Sequence, residues 1–314
     1  MKKTLFAVIT LIAAIIITIG VLVNREDAPA YDFPSEYDGV RTSAYIDGDD
    51  FYINAKGTYE KQFLKGVNIG ATKPGFFPGS LAITKAEYLR WFEYISEMNA
   101  NTIRVYTTMQ PHFYEALKEH NEETSTPLYL MQGVWINEND IAELKDPYAD
   151  ERRILDAFIK DSKDLVDIFH GNAELPSRPG FASGSYEADV SEYVIGWMLG
   201  IEWDPYFVKN TNETHEGLAQ YEGTMLHTEN ASPFEIFLSE AADTVMTYEA
   251  NTYNETRPLS FTNWLTTDPL NHPNEPDPVE DMVSVNVEHI TLEDKAFAGQ
   301  FATYHVYPYY PEFM

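Results

Sequence analysis

The segment Tyr193–Val208 brings one carboxylate, Glu202, to the end of a run that is otherwise almost entirely apolar. A carboxyl group at the end of an apolar strand can donate and accept a proton in general acid/base chemistry. Glu288, in "SVNVEHI", also ends a strand-like run and is the fallback candidate for a second carboxylate. We interpret Glu288 as a residue of the site rim or of the structure.

Metal and cofactor chemistry lack a supporting motif. His289 and His305 are possible ligands, but no H-E-x-x-H or other compact ligand spacing is present. The chain has no cysteine, which excludes disulfides, thiolate catalysis and cysteine metal sites. The first strand-like run leads into "GVNIGATKPGFFPGS", which has neither G-x-G-x-x-G nor a P-loop lysine and serine. We therefore predict no metal and no cofactor.

Aromatic residues make up 14% of the chain, and many of them lie beside polar residues at the ends of strand-like runs. Flat rings that alternate with hydrogen-bonding groups suit sugars, although any single ring can instead fill the core or the rim. We predict a carbohydrate substrate. The predicted substrate-binding residues are Asn68, Arg104, Tyr106, Trp135, Trp203, Asn263, Trp264, His305 and Tyr307.

The elements that position these residues alternate between strand-like and helical patterns. Thr84 and Glu87 form a capping box that opens a helix to about Met98, and Ser232 starts another helix. Strands that alternate with helices predict parallel βαβ units, in either a doubly wound sheet or a (β/α)₈ barrel. A barrel gathers functional side chains at the carboxyl ends of many strands, so we predict an α/β fold of the (β/α)₈ TIM type.

These residues resemble those of the retaining glycoside hydrolases with (β/α)₈ catalytic domains, particularly families 2 and 5. The resemblance covers roughly residues 60–314, with "KGVNIG" similar to the first strand, "NANTIRVY" to the second and "GIEWDP" to the end of the fourth. It implies that Glu202 is the general acid/base and that Arg104 lies near the nucleophile. It also implies that His305 and Tyr307, in "YHVYP", contact substrate and orient the carboxylates.

The chain departs from the family pattern at two places. Ile201 stands where the families usually have an asparagine before the acid/base glutamate, and no seventh-strand glutamate follows "YHVYP". Residues 60–314 supply six or seven strands, whereas a complete barrel has eight. We therefore expect a barrel that is truncated at its C-terminus, lacks its nucleophile and is inactive as a hydrolase in this form.

The predicted function is that of a glycoside hydrolase-like enzyme that acts on a poly- or oligosaccharide outside the cytoplasm. Its complete form would cleave the glycosidic bond by a retaining mechanism. Two alternatives remain open, a transglycosylase with the same carboxylates and a non-catalytic carbohydrate-binding barrel at the cell surface. A net charge of −29 disfavours nucleic acid as a partner.

The N-terminus predicts an anchor in the membrane. After Lys2 and Lys3, the uncharged run Leu5–Val23 is about 28 Å long as a helix, close to the thickness of a bilayer core. We predict a signal-anchor transmembrane segment at 1–24, a juxtamembrane linker at 25–42 and the truncated barrel at 43–314. The protein would be a single-pass membrane protein with an extracytoplasmic domain, or secreted if the N-terminal segment is cleaved.

Overall fold

The computed structural model describes residues 35–55, 57–273 and 279–307. Six helices lie in these residues: α1 (Lys85–Glu97), α2 (Pro111–Glu123), α3 (Glu138–Leu144), α4 (Ala149–Phe169), α5 (Pro205–Thr214) and α6 (Pro233–Tyr253). The described strands are β1 (Glu36–Tyr37), β2 (Val40–Thr42), β3 (Ala44–Asp47), β4 (Asp50–Ala55), β5 (Thr58–Gln62), β6 (Gly66–Ile69), β7 (Thr102–Val105), β8 (Tyr129–Val134), β9 (Ala173–Leu175), β10 (Gly184–Tyr186), β11 (Val194–Leu199), β12 (Leu226–Thr228), β13 (Glu255–Thr256), β14 (Leu259–Trp264), β15 (Ile290–Leu292) and β16 (Thr303–His305).

The main sheet is a parallel half-barrel of six strands in the order β16-β14-β11-β8-β7-β6. All neighbouring strands in this sheet run parallel, so the carboxyl ends of all six strands lie along the same edge of the sheet. Every residue of β11, at the middle of the sheet, is buried. That burial is the reason for the apolar run before Glu202, because a strand covered on both faces has no polar face.

Local sequence signals set the helix starts. Thr84 caps α1 and Ser232 caps α6, each in a capping box completed by a glutamate three residues later. Both predicted starts are therefore confirmed. Helix α4 buries Ile154, Phe158 and Leu165 on one face, and its packing with α6 forms much of the core around the sheet.

Small sheets complete the described part of the fold. The antiparallel sheet β3-β4-β5 buries Ala44 and Ile53 against Ile195, near the beginning of β11. It therefore covers the amino-terminal ends of the central parallel strands and leaves the carboxyl ends for a site. Strands β1 and β2 form within the segment 25–42 that the sequence predicts as a linker, and β2 pairs in parallel with β13.

The prediction of an incomplete (β/α)₈ TIM-type barrel is wrong. In the described ranges the fold is mixed α/β: β6 and β16 lie at opposite ends of a half-barrel sheet, and four smaller sheets carry antiparallel pairs. The apolar run at "DMVSVNVEHI" contributes a 3₁₀ turn at Val287–His289 and the antiparallel strand β15, not a parallel strand. Apolar patterning shows that a segment is buried, but it does not show which strand a segment pairs with.

The prediction of a transmembrane signal anchor and a single-pass membrane location is corrected by one finding. Among the residues that the structure describes, none of the helices is both long enough and apolar enough to cross a bilayer. The run Leu5–Val23, on which that prediction depends, lies outside the described residues. The membrane assignment is therefore not retained.

Candidate functional site

A tight turn after β11 determines where Glu202 lies. Gly200 has a φ of +92°, and a Cβ atom added to it would lie 2.2 Å from Cζ2 of Trp203. Only glycine fits this conformation without strain. The turn directs the indole of Trp203 into the core, while the side chain of Glu202 keeps 30% of its surface exposed.

Two side chains from the end of β16 hold this carboxylate. Nδ1 of His305 lies 2.7 Å from Oε1 of Glu202, and the hydroxyl of Tyr307 donates a hydrogen bond to the same oxygen. Within the described residues, Oε2 of Glu202 makes no hydrogen bond to a side chain or backbone group. The geometry fixes one carboxylate oxygen and leaves the other available for chemistry.

The protonation states of the two partners follow from their surroundings. The hydrogen bond to Glu202 raises the pKa of Tyr307 to about 12, with burial adding to the shift, so this hydroxyl remains a donor at neutral pH. Burial lowers the pKa of His305 despite its bond to Glu202, which favours the neutral ring. Because a carboxylate only accepts, the ring proton of His305 must be on Nδ1. Its Nε2 is buried without a hydrogen-bond partner in the described structure.

An aromatic wall extends from this cluster along the strand ends. The guanidinium of Arg104 lies 4.4 Å from the ring centre of Tyr106, which lies 6.2 Å from the ring of His305 and 6.4 Å from that of Trp135. Burial lowers the pKa of Arg104, while Tyr106 and Glu202 oppose the shift. A cation, a carboxylate and flat rings therefore meet at the ends of β7, β8, β11 and β16.

Trp203 and Asn263 are buried in the core. Trp203 is fully buried and packs against Phe234 and Phe237. Asn263 is also buried, and its amide donates to the carbonyl of Val285 at 2.9 Å. The structure therefore does not bring these two predicted substrate-binding side chains onto the exposed surface of the site.

The other predicted residues are dispersed. Trp264 faces the same cleft as Glu202, and its Nε1 donates to the carbonyl of Trp203 at 3.1 Å. Asn68 is exposed on the edge strand β6, directly beside Arg104 in the sheet register. Glu288 is exposed in its 3₁₀ turn and does not line the Glu202 cleft.

The cleft at Glu202 has a volume of about 1010 Å³. Besides Glu202 and Trp264 it is lined by Glu138, Tyr206 and Met282, which the sequence analysis did not select. Tyr206 is 59% exposed at the start of α5, next to the "GIEWDP" motif, so its proximity to that motif was a usable signal. Glu138 and Met282 come from segments distant in sequence and carried no comparable signal.

One described cluster has the composition of a metal site. Potential ligand atoms of His170, Glu249 and Glu255 lie within 4.8 Å of one another. The guanidinium of Arg257 already supplies a positive charge there, since it bonds to both Glu249 and Glu255. This cluster is an ion network of the core and does not reach the Glu202 cleft.

The two histidines considered as ligands from the sequence are both paired with carboxylates. His289 Nδ1 lies 2.8 Å from Glu235, and His305 binds Glu202. The two histidines therefore pair with different carboxylates, and His289 does not line the Glu202 cleft. The described arrangement therefore does not bring the two rings together on one ion.

Comparison with known proteins gives a weak structural neighbour. No protein-family model matches the chain, and no curated protein matches it. A solved structure of Bacteroides uniformis beta-glucuronidase 2, covalently bound to cyclophellitol-6-carboxylate aziridine, is similar with a TM-score of 0.38 and 12% sequence identity. The similarity covers 63% of this chain and 18% of that chain, so this chain spans only a small part of that glycosidase.

Proposed function

We propose that this chain is a glycoside hydrolase-like protein that binds a poly- or oligosaccharide in the Glu202 cleft. The observation that carries the proposal is the carboxylate of Glu202, held through one oxygen by His305 and Tyr307 beside the aromatic wall. Sugars present apolar C–H faces to rings and hydroxyl groups to polar partners. The cleft offers both kinds of partner, since the carboxylate of Glu202 and the rings of Tyr206 and Trp264 line it.

In this proposal Glu202 is the general acid/base. Its protonated form gives a proton to the glycosidic oxygen as the C–O bond breaks, and its carboxylate then takes a proton from the attacking water. Tyr307 remains protonated because its pKa is about 12, so it positions Glu202 without competing for the transferred proton. A sugar hydroxyl in place of water would give transglycosylation with the same residues.

A retaining mechanism needs a second carboxyl group about 5–5.5 Å from the first. Glu288 is exposed outside the cleft lining, so we do not assign it the nucleophile's role. No residue in the described part of the chain takes that role in the proposal. The retaining mechanism in this proposal is therefore carried over from the family resemblance alone.

Ile201 favours a second candidate, a non-catalytic carbohydrate-binding protein. Its side chain is buried beside Glu202 and has no group to bind a sugar hydroxyl. A cleft without this contact can still hold a sugar on its rings. This protein would bind glycans in the same place but would not turn them over.

Substitution of Glu202 separates the two candidates. Glu202→Gln should lower glycoside turnover by about 10²-fold or more while oligosaccharide binding persists. Glu213→Gln is the matched control, since Glu213 lines the same cleft but is exposed and paired with Lys209. We would measure hydrolysis of an aryl β-glycoside panel and binding by calorimetry. Binding without turnover in the unaltered chain would support the non-catalytic candidate, and equal losses in both variants would contradict the role of Glu202.

A further inference from the structure

A second cavity is lined by Trp135. It has a volume of about 740 Å³ and lies between α4 and the loops that follow β6, β7 and β8. Arg178 and Phe181, from the segment between β9 and β10, also line it. Neither Arg178 nor Phe181 is used by the chemistry assigned to Glu202.

Two exposed rings line this cavity. Trp135 keeps 41% of its surface exposed and Phe181 keeps 44%. The guanidinium of Arg178 lies 3.6 Å from the ring centre of Phe181, so it supports that ring in a defined position. Large exposed rings inside a concave site suit a ligand with flat apolar faces.

The charges around the cavity argue against an anionic ligand. Glu138, Asp161 and Asp164 line the cavity, and Arg178 is the one cationic residue among its described lining residues. Arg178 is itself 3.7 Å from Asp161, which offsets its charge. An acidic ligand would meet like charges, whereas a neutral ligand would not.

The cavity adjoins the candidate active site. Glu138 lines both the 740 Å³ cavity and the Glu202 cleft. Trp135 lines the cavity and its ring contacts Tyr106, which in turn contacts His305. The rings of Trp135 and Tyr106 therefore connect the lining of the cavity to His305, which holds Glu202.

We propose that the cavity at Trp135 and Phe181 is a distal subsite for an uncharged sugar unit of a linear glycan. This inference rests on the proposed function and adds a substrate class, an extended neutral chain several sugars long. Bond cleavage at Glu202 would then act on a chain that extends into this cavity. Phe181 and Trp135 supply ring faces in this subsite, and Arg178 positions Phe181.

The test measures binding against chain length. The probes are neutral gluco-, xylo-, manno- and chito-oligosaccharides of two to six units, with oligogalacturonates as the anionic comparison, and calorimetry gives each Kd. For at least one neutral series, the hexasaccharide should bind the full chain more tightly than the disaccharide does. Phe181→Ala and Phe181→Leu should each weaken hexasaccharide binding about 2- to 10-fold and leave disaccharide binding unchanged.

Tyr94→Ala is the matched control, because Tyr94 is an exposed ring on α1 that lines neither cavity. Thermal melts of all variants show that each one folds. The inference is overturned if chain length has no effect, if no neutral series binds, if the anionic series binds more tightly, or if the Phe181 variants match the control. Binding does not require turnover, so an inactive chain with length-dependent binding at Phe181 would contradict the hydrolase proposal and retain the subsite.

Discussion

The buried ion network around Arg257 gives a sharp prediction about stability. Arg257 and Glu249 are each 1% exposed, and Nε of Arg257 donates to Oε1 of Glu249 at 2.8 Å. Arg257 also donates to the carbonyl of Ser191 at 3.1 Å, and Trp197 Nε1 lies 3.4 Å from Glu249 Oε2. The network joins α6 to the beginning of β11, the strand that leads to Glu202. Substituting Glu249→Gln removes the buried counter-charge of the guanidinium and leaves it only the partly exposed Glu255 at 3.3 Å.

The magnitude follows from that burial. Breaking a buried pair by removing one charge costs about 3–5 kcal/mol, because the remaining charge stays out of water. The exposed pair Lys160–Asp164 gives the contrast, since removing a surface charge of this kind costs about 0–1 kcal/mol. For a chain of this size, the loss at Glu249 corresponds to a fall in Tm of roughly 6–20 °C.

The assay is urea unfolding followed by circular dichroism, with thermal melts as a second probe. Glu249→Gln should show the large loss, and the control Asp164→Asn should stay within about 1 kcal/mol of the parent protein. The double variant Glu249→Leu with Arg257→Met should recover most of the loss, because apolar pairs of similar size often replace buried ion pairs without cost. Equal stability of Glu249→Gln and Asp164→Asn would refute the reasoning.

Three further outcomes are expected. Gly200→Ala should lower the free energy of unfolding by about 1–3 kcal/mol in urea titrations, because its Cβ would meet Trp203 at 2.2 Å; an unchanged midpoint would contradict this packing. Tyr307→Phe should lower kcat roughly tenfold or more with an unchanged Tm, since Glu202 loses a donor; unaltered kinetics would remove Tyr307 from the site. Burial alone would raise the pKa of Glu249, but Arg257 and His170 outweigh burial and lower it. The Glu249 carboxylate therefore stabilises the folded protein above the pKa of an unfolded glutamate, and this stabilisation is lost as the pH falls through the lowered pKa. The stability difference between the parent and Glu249→Gln should therefore shrink below about pH 4, and a constant difference would contradict that sign.

Local chemistry made parts of the fold predictable from the sequence. The capping boxes at Thr84 and Ser232 fix helix starts within a few residues of chain, so they required no knowledge of distant contacts. The apolar run at β11 was equally readable, because full burial removes the need for polar residues. The sequence did not predict whether the sheet closes into a barrel, because closure depends on whether the edge strands β6 and β16, far apart in sequence, pair with each other.

The site was readable only where side chains follow strand ends. Glu202, His305 and Tyr307 were selected for their positions after apolar runs, and the structure places them in contact. Trp203 was selected on the same ground, yet the positive φ of Gly200 directs its ring into the core. Adjacent residues can point in opposite directions after such a turn, and neighbouring sequence letters do not record that difference. Whether these residues bind substrate stays a prediction.

The most direct test of the central claim is the leaving-group dependence of Glu202→Gln. The experiment compares kcat/KM of the variant and the parent protein on an aryl β-glycoside with a poor leaving group and on one whose leaving group needs no protonation. If Glu202 donates the proton, the variant should lose about 10²-fold or more on the first substrate and much less on the second. Equal losses on both substrates would contradict the assignment of Glu202 as the general acid.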